Sequence, residues 1–236
     1  DIIADLGFTQ NGTGTNSLAG DITTTDTNIG FVTGITLAGN VVMTTGNAAG
    51  SAGNITFADT INATTAGAQS LTLTAGDGNV VFSTSASPAI TAHVGDSVAL
   101  SSIDVTAANI TLRDVTTTGT QLYTASGTID TNSTYTTDGA NITFAGATVA
   151  NSSLVIDTTD GGTATTAGHV TFTSTLDSQA TEANTLTITA GTGNIDFDGD
   201  VGAATTGGSG ALGAVTINSV ATLDTDGVFK AASFTQ

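Results

Sequence analysis

Apolar and polar residues alternate in short segments of this chain, and glycine-rich stretches separate the segments. In Asn54-Ile55-Thr56-Phe57, one threonine stands between two apolar residues. Successive side chains of a strand point to opposite faces, so this pattern predicts a strand with Ile55 and Phe57 on one face. Similar segments occur at residues 79–82, 109–112, 141–144 and 194–197. Because no sustained 3.6-residue pattern occurs, the chain is predicted to be all-β.

Two of these segments return together further along the chain. The run Gly53-Asn54-Ile55-Thr56-Phe57 is followed by Leu-Thr-Leu-Thr-Ala-Gly at residues 71–76. A matching pair stands at residues 168–172 and 186–191, and both members are displaced by 115 positions. A shared displacement predicts an internal duplication. We therefore expect one solenoid over residues 1–236, built from two tandem repeats of about 114 residues (about 8–121 and 122–235).

The spacing of the predicted strands favours a coil of stacked turns. Successive strand segments lie about 19 to 33 residues apart, which suits turns of about 20 residues with some longer loops. A single turn cannot bury its own inner face, so neighbouring turns must stack on it. About ten such turns are expected. A β-sandwich is the alternative, because Asp-Gly pairs such as Asp77-Gly78 and Asp198-Gly199 are typical of hairpin turns.

Composition and charge exclude several classes of function. The formal net charge is −18, with two cations, Arg113 and Lys230, against twenty acidic residues. Binding to nucleic acid or to an anionic membrane surface requires lysine and arginine, so neither partner is expected. The absence of cysteine excludes disulfides and thiolate metal sites. The sequence contains no run of 18 apolar residues, so no membrane-spanning segment is predicted.

Both ends of such a coil carry apolar residues and no charged cap. Ile2-Ile3 stands at one end and Val228-Phe229 at the other. Open ends expose unpaired backbone groups, so we expect each end to stack on the next copy of the chain. Head-to-tail contacts of this kind do not close and give filaments. The predicted self-association residues are Ile2, Ile3, Phe8, Val228, Phe229 and Phe234.

An acidic turn is the candidate metal site. Asp196, Asp198 and Asp200 stand at alternate positions, and calcium prefers carboxylate and carbonyl oxygens. Calcium is therefore the one predicted cofactor, with a solvated acidic turn as the alternative interpretation. The same cluster is the only candidate for sugar-cleaving carboxylates. The two histidines, His93 and His169, have no accompanying nucleophile motif or zinc spacing, so we predict no enzymatic activity.

Outward threonines offer a further interpretation. Thr72 and Thr74, like Thr187 and Thr189, stand at alternate strand positions and would form flat rows. An ice-binding face would be built in this way. Threonine is also simply a good residue for strand surfaces, which is the alternative.

Three runs carry a resemblance to a known family. They are Leu-Thr-Leu-Thr-Ala-Gly-Asp-Gly-Asn-Val-Val-Phe at 71–82, Leu-Thr-Ile-Thr-Ala-Gly-Thr-Gly-Asn-Ile-Asp-Phe at 186–197 and Ser-Leu-Ala-Gly-Asp-Ile-Thr-Thr-Thr at 17–25. These runs resemble repeats of large bacterial surface proteins of the filamentous-haemagglutinin type. The resemblance implies a right-handed parallel β-helix, secretion, and a role in adhesion, biofilm matrix or surface fibres. It is a likeness of repeat style and implies no catalytic residues.

These observations predict a mechanical function. We expect a structural subunit or segment of an extracellular or cell-surface fibre or adhesin, whose main partner is itself in a head-to-tail homopolymer. Cell-surface glycans or other matrix components are the further expected partners. The alternative is a glycan-binding or carbohydrate-active β-helix that uses the Asp196–Asp200 turn.

Overall fold

A computed structural model describes residues 1–46, 52–82, 92–203 and 210–236. Within these ranges the chain forms strands, turns and bends and no helix. Its contacts divide it into two compact units. The first comprises Asp1–Thr118 with Thr124–Ser126, and the second comprises Gly119–Tyr123 with Gly127–Gln236.

The strands of the first unit are short, mostly three to five residues long. They are β1 (Ile2–Ala4), β2 (Phe8–Gln10), β3 (Asn16–Leu18), β4 (Ile22–Thr24), β5 (Ile29–Phe31), β6 (Ile35–Leu37), β7 (Val41–Thr44), β8 (Ile55–Phe57), β9 (Ile61–Ala63), β10 (Ser70–Thr74), β11 (Asn79–Phe82), β12 (Ser102–Ala107), β13 (Asn109–Thr111) and β14 (Val115–Thr117).

Three parallel ladders organise the first unit. The first ladder runs β1–β4–β7–β10–β12 and the second runs β2–β5–β8–β11–β13. The third ladder runs β3–β6–β9, and single bridges continue it from Ile61 to Val94 and from Val94 to Val115. Each coil therefore supplies one segment to each ladder. This arrangement is a parallel β-helix with three faces.

The second unit contains nine strands within the described residues, two of them long. They are β15 (Gln121–Thr137), β16 (Ile142–Asp157), β17 (Val170–Phe172), β18 (Leu176–Ser178), β19 (Leu186–Thr189), β20 (Asn194–Phe197), β21 (Leu212–Ser219), β22 (Thr222–Thr225) and β23 (Ala231–Thr235).

The second unit repeats the three-ladder arrangement. One ladder runs β16–β17–β20–β22 and another runs β16–β19–β21–β23. The third joins β16 to β18 and continues through single bridges at Val201 and Phe229. The strand β15 lies against β16, where the Gln121 N–H donates to the Asn141 carbonyl oxygen at 3.0 Å. Because β16 enters all three ladders, it forms almost a full coil by itself.

The interior of each unit contains a column of stacked aromatic rings. In the first unit the ring centroids of Phe31, Phe57 and Phe82 are separated by 5.8 and 5.2 Å. In the second unit Phe144 and Phe172 stack at 4.9 Å. The rings are parallel to within about 20°, because each occupies the same position on consecutive coils. Apolar residues at alternate strand positions thus form a continuous core in each unit.

The glycine before a strand and the residue that follows it, asparagine after Gly53 and histidine after Gly168, have different structural roles. A Cβ atom on Gly53 would overlap the backbone of Thr27, and one on Gly168 would overlap the backbone of Ala140. Only glycine permits such a close approach between consecutive coils. The following asparagines form a hydrogen-bonded column, in which Asn54 Oδ1 accepts from the backbone N–H of Asn79 at 2.8 Å. The signature therefore combines close backbone contact with an amide column.

The structure confirms the predicted parallel β-helix and excludes the β-sandwich. The ladders described above are parallel, and one isolated antiparallel bridge joins Asp138 and Thr159. Asp77-Gly78 and Asp198-Gly199, which suggested hairpins, instead connect segments that belong to different parallel ladders. The two copies of the predicted repeat, Ile55–Phe57 and Val170–Phe172, have the same burial pattern. Their origin by tandem duplication of about 114 residues stays a prediction.

Candidate functional site

The coil formed by β1 to β3 leaves one side of the first unit's core uncovered. Ile2 pairs with Ile22 and Phe8 pairs with Ile29, and both partners are fully buried. Ile2 itself is 39% exposed although it occupies the same core column. Among the described residues, β1 and β2 each have a strand neighbour on one side only. Ile2 is therefore in register with the core column, and its exposure does not come from an outward orientation.

The coil formed by β22 and β23 has the same property in the second unit. Phe234 pairs with Val215, which is fully buried, yet Phe234 is 45% exposed. Its ring lies 5.6 Å from that of Phe229, which in turn contacts Phe197 at 5.7 Å, both edge to face. The aromatic column therefore ends with the rings of Phe229 and Phe234, each nearly perpendicular to the ring before it.

Other exposed apolar residues at these coils have a different orientation. Ile3 pairs with the exposed Thr23, so its side chain lies on the outer surface of the coil. Val228 is 52% exposed, and its backbone N–H donates to Asp200 Oδ1 at 2.7 Å. Leu6, which sequence reasoning missed, is 96% exposed in the turn between β1 and β2. Only its apolar character next to Gly7 could have drawn attention to it.

The acidic turn is joined by two aspartates from the next coil. Asp196 of β20 pairs with Asp224 of β22, and the residues at the next outward positions are Asp198 and Asp226. Partial burial raises the pKa of Asp196, and the charges of Asp198, Asp224 and Asp226 add to that increase. The carboxyl of Asp198 also forms a hydrogen bond that favours the protonated form of Asp196.

Asp200, the third residue of the predicted site, is engaged in a backbone hydrogen bond. One of its carboxylate oxygens already accepts the Val228 N–H. In the described ranges, no group of three or more histidine or acidic side chains has a geometry suited to a metal ion. Calcium at the Asp196–Asp200 turn stays a prediction. Isothermal titration with calcium, with Asp198→Asn as the comparison variant, tests it.

The two histidines have distinct surroundings. His93 Nδ1 lies 3.1 Å from an oxygen of Asp114 on the next coil and 3.7 Å from Asp96. His169 instead replaces an asparagine of the amide column in the second unit. Its ring Nδ1 accepts the backbone N–H of Asn194 at 2.9 Å, and the backbone N–H of His169 donates to Asn141 Oδ1 at 2.8 Å.

The chain matches no protein-family model, no curated protein and no solved structure. Over the residues that the structure describes, no helix is long and apolar enough to cross a membrane. The resemblance to adhesin repeats of the filamentous-haemagglutinin type stays a prediction.

Proposed function

We propose that this chain is a structural segment of an extracellular or cell-surface fibre or adhesin, and that it assembles head to tail. In the proposed contact, the coil of β22 and β23 in one copy receives the coil of β1 to β3 of the next. The observation that carries this proposal is the uncovered core column at each of these coils, represented by Ile2 and Phe234.

The chemistry of the two coils supports a stacked contact. Both offer apolar side chains at core positions together with an open strand edge, which another parallel strand can extend. Burying each large apolar side chain contributes about 2 kcal/mol. Association costs about 4 to 15 kcal/mol in lost freedom of motion. Strand pairing along the whole coil is therefore needed in addition to apolar burial, which favours an in-register continuation of the ladders.

This mode of contact explains why the product would be a fibre. The surfaces on the two partners are different, so the contact is heterologous. Each added copy presents a new free coil, from which growth continues. Strong negative charge, with a formal net charge of −18, limits lateral association between such fibres.

Assembly is tested with charge substitutions at one strand. We expect the wild-type chain to form species that grow with concentration in sedimentation velocity, and filaments in electron micrographs. Ile2→Lys places a charge in the core column and is expected to keep the protein monomeric. Ile3→Lys is the matched control on the outer face of the same strand and is expected to assemble.

Two results would overturn the proposal. One is a wild-type chain that remains monomeric at every concentration examined. The other is assembly by Ile2→Lys to the same extent as by Ile3→Lys.

Localisation is tested separately, by antibody labelling of intact cells that express the native protein. Labelling that occurs only after the cells are permeabilised would contradict a surface location.

A further inference from the structure

A polar groove runs along the outer face of the third ladder in the first unit. It encloses a volume of about 360 Å³ beside β6 and β9. Its lining includes Thr36, whose strand partner is Asn62, together with Asp59 and Thr60. This volume lies in the range of sites that bind small molecules.

Two side chains of the groove are held in place by backbone groups. Asp59 accepts the Gly34 N–H through one oxygen at 3.0 Å and the Thr60 N–H through the other at 2.7 Å. Asn62 Oδ1 accepts the backbone N–H groups of Ser97 and Val98 at 2.9 and 3.1 Å. Each carboxylate oxygen of Asp59 retains a lone pair, and the amide nitrogen of Asn62 retains its donors. These polar groups are preorganised, so a ligand does not have to order them.

The lining chemistry defines the class of ligand. Hydroxyl groups of threonine both donate and accept hydrogen bonds, the amide nitrogen donates, and the carboxylate accepts. Carbohydrate hydroxyls offer the same mixture of donors and acceptors at close spacing. No lysine, arginine or histidine lines the groove, and the carboxylate of Asp59 repels anions. Phosphorylated and acidic sugars are therefore disfavoured.

We propose that this groove binds a neutral carbohydrate chain through Thr36, Asp59, Thr60 and Asn62. The acidic turn of the second unit takes no part in this recognition. Thr13, Gly14 and Thr15 of the coil formed by β1 to β3 line one part of the groove, but the four proposed binding residues lie outside that coil. The groove would allow a fibre segment to contact glycans along its side while its ends remain engaged.

The test begins with an array of neutral and acidic oligosaccharides and continues with titration calorimetry on the neutral members that bind. Thr36→Val removes one hydroxyl from the groove lining and keeps the β-branched shape. We expect it to weaken binding by about two- to tenfold, the effect of one lost hydrogen bond. Thr23→Val is the matched control, because Thr23 is the exposed central residue of β4 as Thr36 is of β6. It is expected to leave the affinity unchanged.

Failure of this proposal is distinguishable from failure of the proposed assembly. The Ile2→Lys variant, expected to be monomeric, should bind the same oligosaccharides as the wild type. The proposal is overturned if no neutral oligosaccharide binds the wild-type chain, if acidic sugars bind in preference, or if Thr36→Val and Thr23→Val bind equally well. Circular dichroism of each variant confirms that the fold is retained.

Discussion

The Nδ1 atom of His169 accepts the backbone N–H of Asn194 at 2.9 Å, in the position where other coils use an asparagine oxygen. In the first unit, Asn54 Oδ1 accepts the equivalent N–H of Asn79 at 2.8 Å. An accepting Nδ1 requires a neutral imidazole with its proton on Nε2. The histidine thus imitates the asparagine carbonyl and preserves the column of hydrogen bonds.

This relationship predicts the effects of two substitutions at one position. We expect His169→Ala to lower the free energy of unfolding by about 1 kcal/mol, because the Asn194 N–H loses its acceptor. His169→Asn should retain the wild-type stability, because Oδ1 replaces Nδ1. Urea unfolding of the three proteins checks this prediction, and equal losses for both variants would contradict it.

Gly168 is predicted to be intolerant of any side chain. Its Cβ would overlap the backbone of Ala140 on the preceding coil, so Gly168→Ala must force the coils apart. We expect a loss of at least about 2 kcal/mol in the free energy of unfolding. Gly14→Ala is the control, because nothing lies within 4 Å of its Cβ position. A Gly168→Ala variant as stable as Gly14→Ala in urea unfolding would show that the coils can separate at low cost.

The aromatic columns are predicted to contribute strongly to stability in their interior and weakly at the last coil. Phe172 is fully buried and stacks on both Phe144 and Phe197. Phe172→Ala is therefore expected to cost about 3 to 5 kcal/mol. Phe234→Ala, at a position that is 45% exposed, is expected to cost much less. Both substitutions are measured by denaturant unfolding in the Ile2→Lys background, which is expected to be monomeric, so that assembly does not affect the comparison. Similar losses of unfolding free energy at both positions would contradict the prediction.

Because of the acidic cluster, we expect the free energy of unfolding to depend on pH. The pKa of Asp196 is raised in the folded state, so the folded protein binds its proton more tightly than the unfolded chain does. The free energy of unfolding should therefore fall as pH rises from the unfolded value near 3.8 through the raised pKa. Above that range the penalty from burial of the Asp196 carboxylate, and from the nearby charges of Asp198, Asp224 and Asp226, is complete.

Asp196→Asn removes this dependence and supplies the measurement. We expect the variant to be more stable than the wild type at pH 7 and to lose that advantage below the unfolded pKa. Thermal unfolding across this pH range, at low ionic strength, follows the difference. An advantage of equal size at all pH values would exclude repulsion between carboxylates as its cause.

The strand pattern was predictable because its causes are local. Alternation of apolar and polar residues places Ile55 and Phe57 inward, and the structure has both fully buried. The glycine and asparagine before each strand mark the corners between faces. The third ladder was less visible, because its strands β3, β6 and β9 are short and carry polar residues such as Asn16 and Asn62.

By itself, the sequence determined that the chain is built from short strands with one apolar face and that these strands form coils. Only the tertiary structure decided which residues meet between coils: Asp196 with Asp224, His169 with Asn194, and Thr36 with Asn62. It also decided that Ile2 lies in an uncovered core column while Ile3 faces outward. The physical reason is that parallel pairing joins residues about 20 to 30 positions apart through loops of variable length, and no local pattern encodes that register.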